Sequence, residues 1–426
     1  MLRPCPRPQG VVLFLSSSLQ LPMRTHLSAP RPPWKSARRV TLVVAASFTL
    51  ALSACGGGDD DDDHAGQPGD GPPGTLVSAV QVNQIPAADI TAALNDPESK
   101  VQSGVTPLYA VTSYKLTYRT IDKDGVATTA SGLVSVPVKA AGARSPVVSY
   151  QHATTFHENQ APSNKVEAVE PPLVLASLGY IVVSPDYVGF GAAKGQIHPY
   201  LTSAPTAAAV VDMLTASDSW RGQAGVTDNG QLYLAGYSEG GYATMAAHRA
   251  IHLANGGLKQ RLLAAVPGAG PYDVLETLDE QLDRVRKLFP PLGAVLDPGN
   301  LSKLPDSVRK EVRDLLLKQM VPEDGDVAYE SRFLDRYMAD ERALVARDHS
   351  VHLGWAPSVP VYLFHGRLDL TVPYSVSESA QRALRDAGGT DVSLTDCTTP
   401  KLGHLDCVPE YFRFAVERLG RTAKDL

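Results

Sequence analysis

The stretch from Leu232 to Gly241 constrains the fold of this chain more than any other part of the sequence. Apolar residues of strand character run into a Gly-x-Ser-x-Gly pentapeptide around Ser238, and a helical segment, Ala243–Ala254, follows directly. Between a strand and a helix this pattern indicates a nucleophile elbow, a sharp turn that holds a serine hydroxyl above the edge of a sheet. The sequence therefore predicts Ser238 as a nucleophile, with a serine N-cap in an ordinary loop as the alternative.

Short apolar segments alternate with helical segments along most of the chain. A hairpin is expected over Thr112–Pro137, with its turn at Asp122–Gly125. The other predicted strands are Pro146–Tyr150, Tyr180–Ser184, Leu232–Ala235, Leu262–Val266, Val361–Phe364 and Val392–Leu394, and helices are predicted at Val166–Leu178 and Pro205–Ser217. Such alternation is typical of a mostly parallel sheet with helices on both faces. We predict one α/β domain of this kind over residues 76–426.

The first 54 residues have the features of an export signal. Arginines precede an apolar run, Val40–Leu52, which is too short to be a stable membrane anchor, and small residues lead up to Cys55. The arrangement resembles the lipobox of bacterial lipoproteins, which implies cleavage before Cys55 and attachment of lipid to it. By the same resemblance, Gly56 favours an outer-membrane or cell-surface location. A plain secretory signal is the alternative, and translation could begin at Met23.

Residues 55–75 are predicted to form a disordered tether, because glycines, prolines and five consecutive aspartates cannot bury a core. The whole chain has 39 Lys and Arg against 45 Asp and Glu. Since seven of the cations and none of the acids precede Cys55, the processed chain keeps 32 cations and has a net charge of −13. Nucleic acid and anionic membrane surfaces are therefore poor partners, and attachment to a membrane is expected through the lipid alone.

The order of these features resembles the α/β-hydrolase fold: a hairpin, a serine after the fifth predicted strand, an acid after a late strand and a histidine near the end. Within that fold, residues 78–420 are similar to the secretory lipase family that includes fungal lipase A. The stretches that carry the similarity are Tyr118–Thr120, Tyr150–His152, Ser184–Gly191, His198–Tyr200 and Gly236–Gly241. One departure is Glu239, at a position where glutamine is frequent in the family.

A hydrolase of this fold needs a histidine that follows its acid in the sequence. His404 lies after the last predicted strand, next to a glycine that permits a close turn. Two other histidines, His248 and His252, lie on the helix that leaves the elbow and should point away from the serine. His365 ends a strand, before the acid is expected. We therefore predict His404 as the general base.

Asp369 is the predicted acid, because it lies on the loop after the strand Val361–Phe364, at the sheet edge where this fold keeps its catalytic loops. A buried carboxylate there would hold the imidazole in the right tautomer. Two rivals remain. Asp406 is only two residues from His404 and is expected to cap the helix that begins near Pro409. Asp186 is expected to brace the loop beside the oxyanion hole.

Two backbone N–H groups are expected to form the oxyanion hole. One belongs to Glu239, directly after the nucleophile. The other comes from the loop after the strand Pro146–Tyr150, and the resemblance places it at His152, with Ala153 as the alternative. The imidazole of His152 itself is expected to be structural.

About ninety residues between the loop Pro267–Gly270 and the next predicted strand exceed what the sheet needs. Helical periodicity is present at Val274–Leu288, Ser307–Met320 and Ser331–Val345. The insertion, at about 271–357, resembles the helical lid of lipases. A fixed cap that only shapes the cleft is the alternative.

Cys397 and Cys407 are the cysteines left once the signal and the lipidated residue are set aside. In an exported protein such a pair favours a disulfide, which would close the loop carrying His404. A zinc site made of the two cysteines and His404 is the competing idea, but it offers only three local ligands and would consume the base.

These patterns together predict a serine carboxylic-ester hydrolase, a lipase or esterase, that works through an acyl-enzyme. Ser238 would attack the ester, His404 would carry the proton, and Asp369 would orient His404. The expected protein is a monomer without a metal or an organic cofactor, and its partners are an ester substrate and the membrane that holds the lipid. A serine peptidase of the same fold and a catalytically silent surface lipoprotein that binds a partner are the alternatives.

Overall fold

A nine-stranded sheet forms the centre of the molecule in the part of the chain described here. The computed structural model describes residues 71–96, 104–288, 296–320 and 325–426. Its strands are β1 (Leu76–Ile85), β2 (Val111–Ile121), β3 (Ala127–Pro137), β4 (Ser145–Gln151), β5 (Ile181–Pro185), β6 (Asp228–Tyr237), β7 (Leu262–Gly268), β8 (Val361–His365) and β9 (Val392–Asp396). Their order across the sheet is β1-β2-β3-β5-β4-β6-β7-β8-β9. The first three neighbouring pairs, β1–β2, β2–β3 and β3–β5, are antiparallel. All the following pairs in this order, from β5–β4 to β8–β9, are parallel.

Helices connect the parallel strands and cover the sheet. They are α1 (Ala87–Asn95), α2 (Pro171–Ser177), α3 (Ser203–Ala224), α4 (Glu239–Ala254), α5 (Gly257–Arg261), α6 (Val274–Leu288), α7 (Asp306–Met320), α8 (Arg332–Met338), α9 (Arg342–Asp348), α10 (Tyr374–Asp386) and α11 (Val408–Gly420). Every residue of β4 is buried, as expected of a strand covered on both faces. The predicted α/β class with a mostly parallel sheet is confirmed.

The hairpin predicted at Thr112–Pro137 is confirmed, because β2 and β3 pair in register from Val111 with Pro137 to Ile121 with Ala127. The prediction omitted β1, which pairs with β2 at the edge of the sheet. Most of β1 is exposed or only half-buried, so its sequence lacks a clear apolar pattern. Counting β1, the serine follows the sixth strand and not the fifth.

Most predicted helices have different bounds in the structure; for example, the helix expected at Pro205–Ser217 is Ser203–Ala224. Two of the differences have a clear local cause. The segment expected at Val166–Leu178 is helical only from Pro171, because a proline is well placed in the first turn of a helix but not in its interior. The single helix expected at Ser331–Val345 is divided into α8 and α9. Between them Asp340 has φ 57°, a left-handed conformation that a continuing helix cannot contain.

The parallel strands bring distant loops to one edge of the sheet. Ser238 follows β6, Asp369 follows β8, and His404 follows β9, so all three lie beyond the carboxyl ends of their strands. No helix in the described ranges has the length and apolar composition needed to cross a bilayer. The predicted signal and its lipidation residue, Cys55, lie outside the described residues.

Candidate active site

Ser238 stands in a strained turn between β6 and α4. Its backbone has φ 59° and ψ −123°, a region that residues with a side chain seldom occupy. An ideal Cβ on Gly236 would lie 2.4 Å from the carbonyl oxygen of Gly240, and one on Gly240 would lie 2.0 Å from that of Gln151. Only glycine fits at these two positions, so the pentapeptide allows strand, helix and the β4 loop to meet around the serine.

A chain of hydrogen bonds joins the three side chains that the sequence predicted. The Nε2 atom of His404 is 2.8 Å from the Oγ atom of Ser238. On the other side of the ring, Nδ1 is 2.6 Å from Oδ2 of Asp369. The carboxylate accepts a hydrogen bond from the N–H at Nδ1, so this nitrogen keeps the proton of the neutral ring. Nε2 is therefore left free to take a proton from the serine hydroxyl. The arrangement can therefore activate a nucleophilic oxygen.

Asp369 is held as a buried carboxylate. Its Oδ1 accepts hydrogen bonds from the N–H groups of Thr371 and Val372, at 2.8 and 2.9 Å. Burial alone would raise the pKa of Asp369, but hydrogen bonds from His365 and His404 outweigh it and hold that pKa well below the usual value. The group is therefore ionised at neutral pH, when it can stabilise a protonated His404.

The rival acids take other positions. Asp186 is fully buried and accepts hydrogen bonds from Ser131 Oγ at 2.6 Å and from Ser163 Oγ at 2.6 Å. Asp406 was expected to cap the helix near Pro409, and this expectation is wrong: α11 has Cys407 as its N-cap, without a side-chain capping hydrogen bond. Asp406 is exposed beside the site, whereas Asp369 reaches the imidazole across the sheet edge.

The loop that carries His404 is fixed at several points. Tyr237, next to the serine, donates a hydrogen bond from its hydroxyl to the carbonyl oxygen of His404 at 2.7 Å. Burial raises the pKa of Tyr237 far above its usual value, so this hydroxyl keeps its proton. Sequence reasoning did not find this contact, because the two residues are separated by 167 positions.

The predicted disulfide between Cys397 and Cys407 is confirmed. It joins the end of β9 to the start of α11 and closes a segment of ten residues that includes His404. Both sulfur atoms are used in the bond, so the competing zinc site does not form. In the chain-entropy model a loop of this size contributes roughly 2–3 kcal/mol to stability.

The two loops proposed for the oxyanion hole adjoin each other. Glu239 is the first residue of α4, so its backbone N–H lies at the positive end of the helix. The β4 loop approaches Gly240 closely, as the short distance to Gln151 shows. The ring of His152 packs against that of Tyr187 in a tilted arrangement, with 4.3 Å between ring centroids, and its Nδ1 lies 2.7 Å from the carbonyl oxygen of Ala153. Its side chain therefore has structural contacts, and the role of the His152 N–H stays a prediction.

The serine and the histidine open onto a cavity of about 480 Å³. Most of its wall is apolar, with contributions from the β4 loop, the inserted helices and the loops of Asp369 and His404. The lining side chains include Ala153, Phe156, Leu201, Leu278, Leu316, Leu370, Val372, Leu405 and Val408, together with the polar Thr154, Thr277 and Gln281. The lining of this cavity is suited to an apolar group next to Ser238.

Three residues that sequence reasoning did not assign support the acid loop. His365 Nε2 lies 3.3 Å from Oδ2 of Asp369, four residues later in the chain. From α6, Gln281 donates to the carbonyl oxygen of Thr371 at 2.7 Å, and Arg284 donates to that of Asp369 at 3.4 Å. The short spacing between His365 and Asp369 was a usable signal, whereas nothing in the local sequence of α6 indicated its contacts.

Comparisons with known proteins agree with this geometry. Residues 166–284 match the model of the family described as secretory lipase. The secreted triacylglycerol lipase LIP7 of Malassezia globosa is 24% identical over 355 residues, which are 72% of this chain and 71% of that protein. A ligand-bound crystal structure of LipA, the rice cell wall degrading esterase of Xanthomonas oryzae, is 24% identical with a TM-score of 0.63, over 83% of this chain and 100% of that one.

The structural likeness establishes the α/β-hydrolase fold, and the sequence matches add the relationship to lipases. The chain is therefore a lipase-like hydrolase of the α/β-hydrolase fold, related to the secretory lipase family.

Proposed function

We propose that this protein is a serine carboxylic-ester hydrolase with Ser238, His404 and Asp369 as its catalytic residues. The observation that carries the proposal is the hydrogen-bond chain from Asp369 through His404 to Ser238, which ends in an apolar cavity. A nucleophile, its base and the group that orients the base are all in contact, which is the geometry of acyl transfer.

In the first half of the reaction, Ser238 Oγ attacks the ester carbonyl carbon and its proton passes to Nε2 of His404. The negative charge that develops on the carbonyl oxygen is stabilised by the N–H of Glu239 and by that of His152 or Ala153. Asp369 stabilises the imidazolium form of His404. That proton then goes to the alkoxide oxygen, the alcohol leaves, and the acyl group stays on Ser238.

In the second half, His404 takes a proton from water, and the resulting oxygen nucleophile attacks the acyl carbon. The bond to Ser238 Oγ breaks, the proton returns to the serine, and a carboxylic acid is released. Every group required belongs to this chain, and water is the co-substrate.

The substrate we propose is an ester with an apolar acyl chain. The cavity is lined by aliphatic side chains, among them Leu278 and Leu316 from α6 and α7. The relationship to a triacylglycerol lipase and the structural likeness to a cell wall degrading esterase both suit such a substrate.

The insertion at about 271–357 acts in this proposal as a fixed cap. The hydrogen bonds from Gln281 and Arg284 hold α6 to the loop of Asp369. In addition, Leu282 and Val285 of α6 are buried in the same cluster as Leu363 of β8. A cap bonded to the acid loop in this way contributes to the wall of the cavity and supports the acid.

A covalent probe tests the function. We expect a fluorophosphonate to label the native protein on the peptide containing Ser238, and esters of short and long acids to be hydrolysed much faster than the matching anilides. Denatured protein is the control for non-specific labelling. Absence of both labelling and ester hydrolysis would favour the silent surface lipoprotein, and faster cleavage of the anilides would favour the peptidase.

Export as a lipoprotein is a further part of the proposal, supported by the sequence around Cys55 and by the secreted relative. Cys55→Ser should abolish acylation and move the protein from the membrane fraction or the detergent phase into the aqueous phase, because the acyl chains supply the membrane affinity. Cys5→Ser, within the predicted signal, is the matched control and should leave partitioning as it is. Detergent-phase partitioning of Cys55→Ser equal to that of the wild type would contradict lipidation.

A further inference from the structure

Directly behind the nucleophile lies a buried acid–base pair that the proposed reaction does not use. The side chain of Glu239 is 3% exposed and that of His198 is 2% exposed. Oε1 of Glu239 is 2.5 Å from Nε2 of His198, and Nδ1 of the same ring is 2.8 Å from the carbonyl oxygen of Val188. Glu239 thus follows the nucleophile in sequence while its carboxyl group is bonded to a residue 41 positions away.

The contacts determine how many protons the pair holds. A carbonyl oxygen only accepts hydrogen bonds, so Nδ1 of His198 must carry a proton. The short contact between Nε2 and Oε1 requires one more proton, on one atom or the other. If the proton is on Glu239, both groups are neutral; if it is on His198, the pair is an imidazolium and a carboxylate. The net charge of the pair is zero in either case.

This neutrality matters because of where Glu239 stands. The N–H of Glu239 is the proposed donor to the oxyanion. The carboxyl group of the same residue is therefore near the negative charge that develops in the reaction. An unpaired carboxylate here would repel that charge in a region with little water to screen it. Aromatic rings enclose His198 on several sides: Tyr187, Phe190, Tyr200 and Tyr329, with ring centroids between 5.2 and 6.1 Å from that of the imidazole.

We infer that His198 is a positioning residue for the oxyanion hole: it keeps the charge of Glu239 neutralised and holds the start of α4 in place. The inference rests on the proposed esterase function. His198 is itself tied to the segment before α8, because its N–H donates to Ala328 at 2.7 Å and its carbonyl accepts from the N–H of Glu330 at 2.8 Å. The inserted region therefore supports the residue that supports the oxyanion donor.

Burial favours the neutral form of several other titratable groups near Glu239. Burial raises the pKa values of the surrounding tyrosines, Tyr187, Tyr200, Tyr242 and Tyr329, well above their usual value. Burial lowers the pKa of His152, which keeps that ring neutral. For Tyr242, this effect of burial is larger than that of the charge of Arg249 on α4, which lowers the pKa of the hydroxyl. Removing the ring of His198 would take away the group that shares a proton with the carboxyl group of Glu239.

The test is a pair of substitutions measured on one chromogenic ester. His198→Leu is expected to lower kcat roughly 10²-fold at pH 8, the scale of losing one oxyanion hydrogen bond, with little change in KM. Adding Glu239→Gln should bring the rate back towards that of Glu239→Gln alone, because the carboxyl group that has lost its partner is then replaced by a neutral amide.

A merely structural role for His198 would not be rescued by neutralising Glu239. A double variant as slow as His198→Leu would overturn the inference. If His198→Leu fails to fold, His198→Gln replaces it, because the glutamine amide can still donate a hydrogen bond but cannot neutralise the charge of Glu239. The same rescue by Glu239→Gln is expected. Wild type and Ser238→Ala are assayed alongside, so an inactive wild type would reject the proposed function, whereas an active wild type without rescue rejects only this inference.

Discussion

Ser238→Ala should lower kcat on a short-chain ester by roughly 10⁵- to 10⁶-fold, because it removes the oxygen that attacks the carbonyl carbon. The fold should survive, since the strain at φ 59° belongs to the backbone and alanine is smaller than serine. A small rate above that of water alone should remain, from the oxyanion donors and the cavity. The measurement is the initial rate of ester hydrolysis at saturating substrate, with the melting temperature of each variant recorded.

Ser219→Ala is a matched control for this prediction, because Ser219 is an exposed serine on α3 whose hydroxyl bonds only to the carbonyl oxygen of Thr215 among the described residues. It should hydrolyse the ester at the wild-type rate and accept the phosphonate label. If Ser238→Ala retained more than a tenth of the wild-type rate, Ser238 would not be the nucleophile.

Asp369→Asn should lower kcat by roughly 10⁴-fold while leaving the protein folded. The asparagine oxygen can still accept from the N–H groups of Thr371 and Val372, as Oδ1 of the aspartate does. Its amide nitrogen then faces Nδ1 of His404 and must donate to it. The imidazole consequently carries its proton on Nε2, the atom that faces Ser238, and cannot accept the serine proton.

Asp406→Asn is the matched control, since this exposed acid lies only two residues from His404. It should keep a rate close to that of the wild type. The pair of variants separates the two candidates directly: a severe loss in Asp406→Asn together with an active Asp369→Asn would show that the acid has been assigned to the wrong residue.

Local sequence patterns were sufficient to predict the class of fold and the sharp turn at Ser238. A Gly-x-Ser-x-Gly turn reports the conformation of five consecutive residues, so the sequence was sufficient to predict it. Strand–helix alternation likewise predicted the parallel sheet, which is confirmed, and the paired cysteines predicted the disulfide between Cys397 and Cys407, which is confirmed as well. The edge strand β1 was missed, because a half-exposed strand has little apolar periodicity.

Boundaries were predicted less well than the elements themselves. The start of α2 at Pro171 and the break at Asp340 depend on single residues whose effect competes with helical periodicity over a longer window. A window of ten or more residues averages over such positions, and so it predicts that a helix exists better than it predicts where the helix ends.

The sequence by itself determined the class of fold, the sharp turn at Ser238 and the order of the predicted serine, acid and histidine along the chain. Only the tertiary structure decided which groups meet: Asp369 and not Asp406 beside His404, Tyr237 under the His404 loop, and His198 against Glu239. The physical reason is that periodicity and turn residues report how neighbouring residues are arranged. Contacts between residues 35 to 167 positions apart arise when the carboxyl ends of β6, β8 and β9 are brought to one sheet edge, and no local pattern records that geometry.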